Sequence, residues 1–163
     1  MYQFLQHLIV DCEDKFTDLN CGGCGLVAMF ISEQLEKRNI NHSFRFRNIS
    51  FYNEYDSVDK TLQPTIQNLN KYCISAGHIF LIVNRKPINS VSGNYTHKAP
   101  SYRNSYIRNS IWKTVLKDID LYNNCNDLYS EKYHWNTSFN VMLNHNYLNQ
   151  FITEEFEKYD KRE

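Results

Sequence analysis

The chain has 163 residues, its 18 lysines and arginines balance 18 aspartates and glutamates to a net charge of zero, and aromatic residues make up 15%. That length is expected to form one domain spanning residues 1–163, with a core that needs no covalent staples. The charge balance gives no basic excess of the kind that marks a nucleic-acid or membrane-surface partner, and five scattered cysteines, an odd number, predict free thiols in a reducing compartment.

The first ten residues lack a positive region and a small-residue cleavage site, so they do not read as a signal peptide. The longest apolar run, Ile79 to Val83, is far too short to span a bilayer. A cytoplasmic protein is the expectation.

Phe4, Leu5, Leu8 and Ile9 predict a short first helix over residues 2–10, followed by an acidic loop over 11–18. From Cys24 the apolar residues Val27, Ala28, Ile31 and Leu35 recur at helical spacing. They predict a helix to about Arg38, with Asp18 or Asn20 as its cap, Glu33 paired with Lys37, and Asn39 left-handed at its end. His42 to Ile49 alternates as a half-buried strand whose arginines form a solvated face, and 51–60 reads as loop. Pro64 opens a predicted helix to Tyr72, with Ile66, Leu69 and Cys73 on one face and Cys73 in the core.

Ala76 to Val83 reads as a buried strand, Asn84-Arg85 as a tight turn, and Lys86 to Val91 as an antiparallel return whose Pro87 marks an edge. Residues 92–105 read as loop. Tyr106 to Leu121 and Phe139 to Tyr159 give two further helices, the first carrying Ile107, Ile111, Val115 and Leu116 and the second Leu143, Leu148, Phe151, Ile152 and Phe156. His97, His134 and His145 sit in polar surroundings and are expected to be exposed.

The run Asn20-Cys21-Gly22-Gly23-Cys24-Gly25 places a thiol where a glycine-rich turn becomes a helix. Unpaired N–H groups and the positive end of the helix dipole there favour the thiolate. The glycines remove Cβ atoms around the sulfur, so that a substrate backbone can approach. His78 follows Gly77 at the entrance of the strongest strand. With the turn at Asn84-Arg85, Phe80 pairs with Asn89, and Asn89 then lies diagonally from His78 on one face. An asparagine oxygen accepting from the imidazole would orient it as a base for a cysteine nucleophile. Cys24, His78 and Asn89 are therefore the candidate catalytic residues.

Cys21-Gly22-Gly23-Cys24-Gly25, His78 before a hydrophobic strand, and Asn89-Ser90 after the next resemble the active-site elements of the papain-like and transglutaminase-like cysteine peptidases, most closely small phage or bacterial members. Trp135-Asn136-Thr137-Ser138-Phe139 is similar to a further element of that group. The resemblance covers residues 18–93 well. It implies an α+β fold in which an N-terminal active-site helix packs on a small antiparallel sheet, with C-terminal helices added. It implies a thiol hydrolase, foremost a cysteine peptidase acting on a protein or peptide without a cofactor or metal, in a host cytoplasm if the chain is viral. The family's oxyanion glutamine would fall on Asp18, which cannot donate once ionised, leaving Asn20 or backbone N–H groups for that role. Gly25 stands where the family has an aromatic residue.

The same resemblance fits transglutaminases, deamidases and acyl transferases, and a binding or inhibitor protein that keeps the fold without catalysis. From spacing alone, Cys21-x-x-Cys24 with Cys73 and His78 offers a zinc set as the rival reading. Substrate choice would lie in residues 50–60 and 92–105, and nothing in the sequence speaks to oligomeric state.

Overall fold

The computed structural model describes residues 1–16, 19, 23–53, 56–57, 61–88, 104–124 and 138–162. Its elements in chain order are α1 (Tyr2–Lys15), α2 (Cys24–Lys37), β1 (His42–Asn53), β2 (Asp56–Ser57), α3 (Ile66–Lys71), β3 (Cys73–Val83), β4 (Lys86–Ile88), α4 (Asn104–Asn124), α5 (Ser138–Leu143) and α6 (His145–Asp160). The four strands form one antiparallel sheet in the order β2-β1-β3-β4. The architecture is thus mixed α+β, as expected.

Helix α2 is the axle of the molecule. Its sequence shows one apolar stripe, yet Leu26, Met29 and Phe30 are buried along with Val27, Ala28, Ile31 and Leu35. Burial on nearly every side follows from its neighbours, because β3, α4 and α6 all pack against it. Its polar residues then need partners inside. Ser32 Oγ lies 2.7 Å from Nε2 of the buried His42, and Gln34 Nε2 donates to Thr153 Oγ1 at 3.0 Å.

Glu33 and Lys37 do not form the expected pair; the acid that does pair is Glu36, with Arg108 of α4. The N-cap position is Gly23, with no side-chain cap, which displaces the expected Asp18 or Asn20; both of those lie outside the described residues. Asn39 is left-handed at φ 56°, as the C-terminal signal predicts.

Several boundaries differ from the sequence reading. Helix α1 continues through Asp11–Lys15, where a loop was expected, because Cys12 extends the buried stripe of Leu5 and Leu8 by one more turn. Strand β1 runs on to Asn53 and pairs with β2 inside the expected loop 51–60. Residues 73–75 likewise join a longer β3, so Cys73 is a buried strand residue and not part of the α3 face. Helix α3 begins after Pro64, capped by Thr65 Oγ1 accepting from Asn68 N at 3.2 Å. Ile66 is exposed and Leu69 carries the burial.

The expected final helix is two, interrupted at Asn144. Leu148, Ile152 and Phe156 of α6 are fully buried, whereas Leu143 on the shorter piece is exposed. In α4, Ile107, Ile111 and Val115 face the core and Leu116 faces solvent.

Positive φ angles at Asn84 (49°) and Arg85 (67°) close the β3–β4 turn, and the register Leu81↔Ile88, Ile82↔Pro87 follows. Pro87 sits on the edge strand, where its carbonyl accepts from Tyr2 Oη and Gln6 Nε2, both at 3.2 Å. Phe44 and Phe46 of β1 with Ile79, Leu81 and Val83 of β3 fill the core side of the sheet. A second kink, Asn48 at φ 53° opposite Gly77, shifts this phase. Beyond it Phe51 and Ile74 turn to the core.

Candidate functional site

Cys24 begins α2 and is partly exposed. It lines a narrow pocket of about 30 Å³ with Ile9 and Glu13 of α1, Ala28 of α2, and His78 and Ile79 of β3. That volume admits about two water molecules. The walls are mostly apolar, with Glu13 the sole acid among the described lining residues. Burial raises the pKa of the Cys24 thiol above its ordinary value, and backbone hydrogen bonding by Ile79, Gly25 and Cys24 itself pulls it down by less. The expected advantage of the helix start is present, but desolvation outweighs it. The other described cysteines, Cys12 and Cys73, are buried and free, and Cys12 is pushed up to about 12, chiefly by burial.

The glycines around the sulfur have packing duties. A Cβ on Gly23 would lie 2.8 Å from the Leu19 carbonyl oxygen, whose hydrogen bond from Gly23 N is also 2.8 Å. A Cβ on Gly25 would meet Ile79 Cδ1 at 3.2 Å and Ile111 Cγ2 at 3.6 Å. Close approach of α2 to β3 and of the preceding turn to α2 therefore accounts for both. Substrate access is not needed to explain them, contrary to the sequence argument. Gly22 lies outside the described residues.

The structure brings Cys24 and His78 to the same pocket. The contact of Gly25 with Ile79 sets Ile79 on the α2 side of the sheet, and alternation puts its neighbours on the other side. The imidazole of His78 stacks there on Phe80, centroids 5.9 Å apart and planes 17° from parallel. Asn89, the third expected member, is outside the described residues, as are Asp18, Asn20 and Cys21. The described register of β4 ends with Ile88 opposite Leu81.

The zinc alternative is disfavoured by the fold. Cys73 begins β3, six residues before the Ile79 that contacts the Cys24 sulfur, a run of roughly 20 Å along the strand. Sulfurs of one tetrahedral zinc lie about 4 Å apart. Among the described residues no group of three metal-ligating side chains is assembled.

Sequence reasoning missed the polar centre between α2, β1 and α4. His42 Nδ1 donates to the Ile40 carbonyl at 2.8 Å, leaving Nε2 to accept from Ser32 Oγ. Arg108 donates to the same Ser32 Oγ at 2.9 Å and to Glu36. Burial holds the His42 pKa below its ordinary value, and Arg108 adds to the effect. The available signal was Ser32 and Gln34 within an otherwise apolar helix. His145, expected to be exposed, instead donates from Nδ1 to Met142 O at 2.7 Å and packs edge-on against Trp112. His97, His134 and Trp135 lie outside the described residues.

Among the described residues, no helix is long and apolar enough to cross a membrane. Comparison of the chain with protein-family models, with curated proteins and with solved structures finds no match.

Proposed function

We propose that the protein is a thiol-dependent acyl-transfer enzyme, a cysteine peptidase first among that class, with Cys24 as nucleophile, His78 as base and Asn89 as the group that orients it. The observation that carries this reading is a partly exposed cysteine at the first residue of a helix, sharing a pocket with a histidine. The thiol is protonated at rest, since burial raises its pKa. A base is therefore required. The His78 imidazole rests stacked on Phe80, and to serve as that base it must leave this stack for the sulfur.

Imidazole takes the thiol proton, the sulfur adds to the carbonyl carbon, and N–H groups at the α2 start donate hydrogen bonds to the developing oxyanion. Imidazolium then returns the proton to the departing amine or alcohol as the carbon–heteroatom bond breaks, leaving a thioester. Water, or a second amine in the transferase variant, resolves the thioester and regenerates the thiol. The narrow pocket admits only a small part of a substrate, so the remainder lies across its mouth.

The second reading is a non-catalytic binding protein, favoured by the apolar walls and by the imidazole's position on the far face. Hydrolysis of an activated acyl ester and of a mixed peptide library separates the two. Catalysis lost in Cys24→Ser and reduced at least about 100-fold in His78→Ala supports the enzyme. Turnover equal in wild type and Cys24→Ser, or absent from both, leaves the binding protein.

A further inference from the structure

A polar concavity lies away from Cys24, where β1 begins and the β3–β4 turn closes. It is an open cleft of about 450 Å³ lined by Asn41, Ser43 and Arg45 on one side and by Ile82, Asn84 and Arg85 on the other, with His42 behind. The register Ser43↔Ile82 makes these two sides neighbours. Left-handed backbone at Asn84 and Arg85 fixes the turn that carries the second guanidinium. Arg45 Nη1 donates to the Phe44 carbonyl at 3.1 Å, which holds the first one against its own strand.

The donor count is lopsided. Two guanidiniums, two amides and a hydroxyl line the cleft, and no carboxylate does so among the described residues. Arg85 forms no ion pair among them either. Guanidinium forks match the paired oxygens of phosphate and carboxylate groups, and a cleft of this size suits a small molecule. The pocket at Cys24 is narrow and apolar by contrast, so the two places select different chemistry.

We infer that this cleft binds a small anionic molecule through a phosphate or carboxylate group, held between Arg45 and Arg85. The site is independent of the thiol chemistry, and either reading stands without the other.

The test is a titration of the whole protein with inorganic phosphate and, separately, with citrate at constant ionic strength, followed by backbone amide resonances. Saturable shifts confined to residues 41–45 and 82–86 are expected, weakened roughly tenfold or more in Arg85→Gln and in Arg45→Gln. Arg47→Gln, on the neighbouring strand position outside the cleft lining, should bind as wild type. Saturation by phosphate alone assigns a phosphate ligand, and by citrate alone a carboxylate ligand. Arg85 is exposed in a turn, so its variant retains the fold even if Arg45→Gln does not. Shifts that fail to saturate, or that Arg47→Gln weakens as much as Arg85→Gln, would overturn the inference and leave diffuse charge attraction.

Discussion

Two buried titratable residues place opposite pH demands on this protein. Asp118 is 5% exposed, its nearest described partner is Tyr52 Oη at 3.5 Å, and burial lifts its pKa from 3.8 to about 6. The folded state therefore holds this proton more tightly than the unfolded chain does. Stability from Asp118 is full below 3.8 and is lost as pH rises to about 6. His42 works in the other sense. Its folded pKa lies below 6.5, so its contribution is full above that value and is lost as pH falls. Urea unfolding from pH 4 to 8 should find Asp118→Asn more stable than wild type near neutrality by up to about 3 kcal/mol, with the advantage vanishing towards pH 4. A constant difference across that range would contradict the buried-acid assignment.

At the scale of elements, legibility followed local chemistry. The α2 span, its left-handed Asn39 and the Asn84-Arg85 turn were readable because a few neighbouring residues determine them. The continuation of β1 past Ile49 was not, since Asn48 breaks the alternation that signals a strand. The break at Asn144 was equally silent, because Asn is tolerated within a helix and only packing fixes where two helices part.

Glycine was legible as special but its reason was not. Gly23 answers to a backbone oxygen, which cannot move aside; Gly25 answers to the end of an isoleucine side chain, which can. Gly23→Ala should therefore destabilise the protein by about 1–3 kcal/mol. In Gly25→Ala the crowding is offset by a helix-propensity gain of about 1 kcal/mol. Equal losses in chemical denaturation would contradict this account of the close approach between turn, helix and sheet.

For the molecule as a whole, the α2 axle and the sheet meet at the Cys24 pocket. Cys24 and His78, which the sequence motif singles out, line one pocket, but the motif did not reveal the cost of the setting. The interior that positions the sulfur also desolvates it, and the alternation of β3 turns the imidazole to the other face. Those consequences depend on which face of β3 meets α2, a tertiary fact that no short motif encodes.

The central claim is that Cys24 is the reactive thiol of this chain. Iodoacetamide labelling of the native protein across pH 6 to 10, with mapping of each modified cysteine, tests it most directly. Cys24 is expected to react faster than the buried Cys12 and Cys73, with a rate that climbs through the alkaline range as the raised pKa requires and that His78→Ala slows near neutrality. Labelling of Cys24 no faster than that of Cys12, or unaffected by His78→Ala, would contradict a nucleophile served by that histidine.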